Sequence, residues 1–499
     1  MEKILTKKLR PIFLVILTAM LIFAMPVFFS GCQNGDAPPG GTAAGEGITG
    51  LEPDIPAYIA DNLPERDFGG YNFTILIREL YFMRADFYAE RATGEIINDA
   101  VFYRNRAIEE RFNINIEYYL TPNEGSSAPT PHRLIYAGLD EFDLGGIHGS
   151  GAFRLALGGL LIDASNLPYI DLDQPWWPDD LIRNFSPRGR LYTFAGDISH
   201  LGLAGTGCLL FNKDLFDNLG IAHPYNDVKA GRWTLDNFFS LVRANAADLD
   251  GDGQMTIDAD RFGLEIRHDW DYPIAVLYSG GDRVITMTDG GLLELTIYNE
   301  RTISIFDRFM DLVHNSGAVH VYGLDPENPF PTNTAFRGGR ALFYTTYMQD
   351  IVRHRDMVAE IGVLPLPKYD EFTPKHFAPV DAGQNIFIVP ITAGNPERTS
   401  IIMEAFAAEG HRSVIPAFFE ISLQTQHARD DESQEMLEII RAGMVYDFGY
   451  FNHHISGFQL AFAGHHLVND RALSLTTLFE RYHQAALDRI DEFNNEEQG

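Results

Sequence analysis

The stretch that most constrains this chain is 189–221, GRLYTFAGDISHLGLAGTGCLLFNKDLFDNLGI. A short apolar run, 191–195, breaks at Gly196-Asp197. A second run, 208–211, follows Gly205 and passes through Asn212-Lys213 into a helical pattern with Leu215, Phe216 and Leu219 on one face and Gly220 as its stop. Two extended runs split by a glycine-rich kink are what a chain needs to cross from one lobe to another. An ordinary strand–loop–strand has the same pattern.

The flanking segments read as α/β. Residues 71–77 alternate, with Phe73, Ile75 and Ile77 against Asn72 and Thr74, and predict a first strand. Residues 97–112 predict an amphipathic helix, and 114–119 the next strand. Strand, helix, strand opens a layer with a parallel sheet. A further strand, 144–147, ends in the loop His148-Gly149-Ser150-Gly151, and 155–161 predict a helix and turn. Beyond the kink, Thr234 caps a helix with Leu235, Phe238, Phe239 and Val242 on its buried face, and Trp233 staples its start. Residues 292–313 read as one helical span, 361–367 and 387–390 as strands, and 400–408 as a helix. No short-period repeat is present, which argues against a solenoid or propeller.

Length and charge narrow the class. At 499 residues the chain can build two large lobes with well-buried cores. A formal charge of −31 disfavours a nucleic-acid partner and fits an exported, soluble surface. Lys3, Lys7, Lys8 and Arg10 precede an apolar run, 12–29, that ends in Ser30-Gly31-Cys32. That is a targeting segment. Small residues just before a cysteine resemble the lipobox of bacterial lipoproteins, in which Cys32 would carry lipid and become the mature N-terminus. A single membrane-spanning anchor is the alternative. The Gly/Pro/Ala-rich stretch 33–50 suits a flexible tether. Cys208 is then left alone in an apolar run, so a buried structural thiol is expected, with no disulfide and no cysteine-based metal site.

"LYTFAGDIS…LLFNKDLFDNLGI", followed by "GRWTLDNFFSLV", resembles the crossing segment of sugar-type extracellular solute-binding proteins of bacterial ABC importers, the group that includes maltose-binding protein. NDAVFYRNRAIEERFNINIE and TAFRGGRALFY are similar to further segments of that family, and FAPVDAGQN (377–385) looks like its second crossing. The resemblance covers nearly everything from about Asp67 onward. It implies a two-lobe, periplasmic-binding-protein-like α/β fold of type II. Lobe one would comprise 67–195 plus 382–425 and lobe two 196–381 plus 426–499, after a signal peptide (1–31) and tether (32–66). It also implies a monomer that captures a small solute, expected to be a sugar, by closure and presents it to a membrane permease, with no chemistry done on the ligand. A lipid-anchored glycan-degrading enzyme or adhesin is the competing class.

Position in such a fold selects the ligand candidates. Strand ends in lobe one offer Arg78, Glu79, His148 and Ser150; the crossings offer Asp197, Asp381 and Gln384; lobe two offers Trp270, Tyr272 and Tyr347. Flat aromatics and hydrogen-bonding side chains suit a sugar's apolar faces and hydroxyls. Trp176 and Trp177, adjacent in a Pro-rich loop, could stack on a sugar or plug the lobe surface, and the similar Pro-Trp-Trp of the family at this place implies the structural role. His453-His454 and His465-His466 are expected to be packing or surface residues rather than zinc ligands. Asp248, Asp250 and Asp252, with Gly253 and the Gln254 carbonyl, follow the start of a Ca²⁺ loop. Ala259 stands where the bidentate Glu belongs, so Asp258 or Asp260 must supply that ligand. A structural Ca²⁺ is the expectation, a solvated acidic turn the alternative. No nucleophile elbow, zincin, Walker A or dinucleotide motif occurs in a usable context.

Overall fold

The computed structural model describes residues 59–268, 273–323, 334–424 and 431–495. The targeting segment, tether and Cys32 lie outside the described residues, as do Trp270 and Tyr272. Among the described residues, no helix is long and apolar enough to cross a membrane.

The first sheet is built as the alternation predicts. Strand β1 (Tyr71–Arg78) runs into helix α1 (Ile96–Phe112), which ends on a left-handed Asn113, and β2 (Ile114–Thr121) returns parallel to β1. Strand β3 (Leu144–His148) lies parallel on the other side of β1 and leads directly into α2 (Gly149–Leu157). All three strands therefore end at one edge, at Arg78, Thr121 and His148.

The second sheet starts after the kink with β4 (Gly207–Asn212), whose six residues are all buried. The Asn212 side chain accepts from Leu215 N at 3.0 Å and so caps α3 (Lys213–Asn218). Cys208 is fully buried, and burial pushes its thiol pKa up, in keeping with a structural thiol. Helix α4 (Leu235–Asn245) is capped by Thr234, and Trp233 packs edge-on against Phe238 while its indole N–H donates to the Pro365 carbonyl at 3.0 Å. Strand β5 (Phe262–Arg267) follows. The single helical span read over 292–313 divides: Leu293–Leu295 pairs with Ile285–Met287 as a small hairpin, and helix α5 (Glu300–Asn315) begins only at Asn299. The cause is local. Asn299 accepts from Arg301 N and Thr302 N, and Thr302 Oγ1 accepts from Asn299 N, which closes a capping box. Strands β6 (Val319–Tyr322), β7 (Ala341–Tyr347) and β8 (Ile361–Leu364) complete a sheet of order β8-β4-β7-β5-β6.

Two crossings join the sheets side by side. Phe194 and Phe387 exchange backbone hydrogen bonds (2.9 and 2.8 Å), and Asp381 N donates to Gly205 O at 2.9 Å. The second crossing ends in β9 (Asn385–Ile388), antiparallel to β3 with Asn385 opposite His148, giving the first sheet the order β9-β3-β1-β2. Helix α6 (Pro396–Glu409) follows, then a π-helical stretch, Gly410–Val414, and α7 (Ile415–Gln424), α8 (Asp431–Ala442) and α9 (Leu475–Asn495).

The division of the chain between cores differs from the one the resemblance implies. Of the C-terminal stretch assigned to lobe two, α8 (Met436, Leu437, Ile440) and Val468 join the core of the second sheet. Most buried apolar residues from Val445 to Phe493 belong with the first sheet's core, where Phe448 stacks edge-on against Phe153 and Phe185 at 4.9 and 5.5 Å. Met444–Val445 pairs with Ala378–Pro379 beside the crossing and so turns the chain back. Conversely, Ile415 and Phe418, assigned to lobe one, pack into the second core.

Candidate functional site

The site is built where the strands of the first sheet end and the second crossing passes beneath them. Arg78 closes β1 and is buried; its guanidinium donates to Asn385 Oδ1 (Nε 3.1 Å, Nη2 2.9 Å) and to the Gly383 carbonyl (2.6 Å). Burial lowers its pKa to about 10, and the Asp381 charge opposes that shift. Asp381 accepts from Gly383 N at 2.7 Å and from Gln384 Nε2 at 3.0 Å. Burial raises its pKa against those hydrogen bonds and against the charges of Arg78 and Arg267.

His148 ends β3 and caps α2, its Nδ1 accepting from Ser150 N at 3.2 Å. Burial first, then the charges of Arg78 and His453, hold it neutral with a pKa of about 3. Ser150 is buried behind it. Gly149, between them, lies so close to the crossing that a Cβ would sit 2.7 Å from the Ala382 carbonyl and from the Phe451 ring, so only glycine fits. Gln384 Oε1 and Asn385 Nδ2 are buried with no protein partner, capacity that water or a ligand atom can take up.

Arg78, His148, Ser150, Asp381 and Gln384 thus come together. Glu79 is exposed at the same strand edge. Tyr347, at the end of β7, stands opposite Gly207, just past the first crossing. Sequence reasoning missed three members: Asn385, which receives Arg78; Arg267, the last residue of β5, which brings positive charge from the second sheet to Asp381; and His453. Arg267 had a signal, a charged residue ending a buried strand. Asp197 is placed otherwise. Its carboxylate accepts from His411 Nδ1 at 2.6 Å and Arg441 Nη2 at 2.7 Å, away from the strand-end cluster's hydrogen bonds.

The acidic loop brings Asp248, Asp250 and Asp260 together, with a carboxylate oxygen of each within 4.8 Å of the others. Asp252 instead accepts from Gln254 N, and Asp258 is exposed. Among the described residues no other set of three or more acids, histidines or cysteines gathers at metal-ligand range. Three carboxylates suit a hard cation in donor type. Each also accepts backbone N–H groups of the loop, Asp248 from Gly251 and Gly253, and Asp260 from Leu249 and Thr256. Ca²⁺ bound here would stabilise the native state by mass action, by about 2.7 kcal/mol at a hundredfold excess over its dissociation constant. Melts with calcium and with chelator should then separate in wild type and coincide in Asp250→Ala; coincident wild-type melts leave a solvated turn.

No protein-family model matches the chain, and no curated protein matches it. Solved structures do. The ABC substrate-binding protein Lmo0181 from Listeria monocytogenes, in complex with cycloalternan, superposes with a TM-score of 0.54 at 13% identity, over 85% of this chain and 99% of that one. A cyclo/maltodextrin-binding protein complexed with maltotetraose gives 0.56 at 13% identity, over 86% and 98%. The GacH receptor of Streptomyces glaucescens GLA.O, solved unliganded and with acarbose, gives 0.55 at 14% identity, over 85% and 99%. The chain therefore has the two-lobe fold of the periplasmic binding proteins.

Proposed function

We propose that this protein is the extracellular solute-binding component of an ABC importer, which captures a carbohydrate or oligosaccharide between its lobes and delivers it unaltered to a membrane permease. The observation that carries the reading is the strand-end cluster: Arg78, His148, Asp381 and Gln384, with two buried polar atoms still without partners, set against the crossing in a fold shared with proteins solved holding oligosaccharides. Donors and acceptors mixed at one face suit hydroxyls, and closure around them is the mechanism such a fold affords.

Native mass spectrometry of protein from its own host, followed by calorimetric titration against maltotetraose and related glucans, tests the proposal. Asp381→Ala should weaken binding at least about tenfold, or about 1.4 kcal/mol, by leaving ligand hydroxyls buried and unpaired. No bound or titrating carbohydrate would sink the ligand class; new reducing ends after incubation would make the protein an enzyme.

Attachment through lipid on Cys32, at the outer face of a membrane, belongs to the same proposal and rests on the charged, apolar and Ser30-Gly31-Cys32 segments. Cys32→Ser should release the protein from the membrane fraction without changing ligand affinity. Retention equal to wild type would rule lipid anchoring out.

A further inference from the structure

Asp197 is the residue at which the first crossing leaves the first lobe, and it is held from every side. Its N–H donates to the Trp176 carbonyl at 2.9 Å. Gly196 before it has φ +146°, and a Cβ there would stand 2.3 Å from that same carbonyl. On the far side, a Cβ on Gly410 would stand 1.9 Å from the Asp197 carbonyl oxygen. Neither position tolerates a side chain without moving backbone.

The carboxylate then ties to two different bodies. His411 belongs to the π-helical stretch after α6, on the first lobe, and its Nδ1 lies 2.6 Å from Asp197 Oδ2. Arg441 is in the last turn of α8, whose Met436, Leu437 and Ile440 pack into the core of the second sheet, and its Nη2 lies 2.7 Å from the same oxygen. The Asp197 side chain is only 13% exposed and that of Arg441 32%, so solvent screens the pair incompletely.

We propose that Asp197 is the positioning residue of the hinge: one carboxylate oxygen, fixed in the crossing, joins a donor from each lobe and so sets the angle at which the lobes meet. The bond from Arg441 ties the second core to the pinned crossing, and losing it frees the lobes to sample other angles. The inference rests on capture by lobe closure, but it concerns the lobes themselves, so its test needs no ligand.

Spin labels at Tyr136→Cys and Val358→Cys, one on each lobe and both exposed, report the distance between lobes in the ligand-free protein. The background is Cys32→Ser, and Cys208 is too buried to label. Arg441→Gln should broaden the distance distribution. Arg441→Lys, which keeps a cationic donor for a single-point contact, should restore most of the wild-type width, whereas loss of packing alone would not be rescued. Asp197→Asn, a smaller change, serves as the second variant should Arg441→Gln not fold, and should broaden the distribution too. A wild-type width in whichever of Arg441→Gln and Asp197→Asn folds, or broadening that Arg441→Lys fails to reverse, overturns the assignment. Failure to bind any carbohydrate would refute the ligand class and leave this result standing.

Discussion

Replacing Glu404 by leucine is expected to lower the unfolding free energy by about 2–6 kcal/mol, from two buried donors losing their acceptor at about 1–3 kcal/mol each. Glu404 is fully buried on α6, and its two oxygens receive the indole N–H groups of Trp176 and Trp177 at 2.8 and 2.9 Å, with Asp171 N at 3.3 Å. Both tryptophans are themselves buried, so neither indole can turn to water instead. Burial pushes the Glu404 carboxyl up to about 7 despite these hydrogen bonds, and a neutral acid still accepts. Glu404→Gln should be intermediate, because its amide presents one acceptor and one donor to two donors. Urea unfolding measures both variants. A Glu404→Leu midpoint equal to wild type would mean that the tryptophan loop is held by apolar packing alone. The clamp matters beyond stability, since the Trp176 carbonyl also holds Asp197 in the crossing.

How legible this was in the sequence depends on the range of the interaction. Strand alternation at 71–77, the helix that follows Asn212-Lys213 and the apolar face after Thr234 are local, and the folded chain matches them within a residue or two. The crossings were legible only through the resemblance. A structural role for Trp176 and Trp177 followed from the resemblance, but their partner lies 228 and 227 residues away. A lone acid within the apolar run IIMEAFAA was its only trace. Asp197 illustrates the limit more sharply. Its position in a crossing is visible, but nothing local says that His411 and Arg441 will occupy its carboxylate. For the C-terminal helices, periodicity shows that a face is buried and not against which sheet; Phe448 and Phe451 settled that by reaching Phe185.

Lowering the pH from 7 to 5 should destabilise the protein by several kcal/mol, on the order of 1.4 kcal/mol per pH unit for each proton that only the unfolded chain binds. Burial depresses His148 and His454 to about 3 and His376 and His465 to about 4 from an ordinary 6.5. Each folded pKa lies below its unfolded value. Between about 6.5 and 4 the unfolded chain therefore takes up these protons while the folded chain does not, and stability falls as the pH falls. Glu404 acts in the opposite sense. Its folded value of about 7 lies above the ordinary 4.5, so the folded chain binds that proton first, and this single group adds stability as the pH drops through the same window. Four imidazoles against one carboxyl leave a net loss. Burial also raises Asp143, Asp381 and Asp447, which act in the same sense as Glu404, and lowers His268, His354, His453 and His466, which add to the loss. Urea midpoints measured from pH 7.5 to 5 should decline steadily, and His454→Phe, whose imidazole nitrogens have no protein partner, should flatten the curve while leaving stability at pH 7.5 nearly unchanged. Midpoints independent of pH over that range would mean that the imidazoles are hydrated and titrate alike in both states.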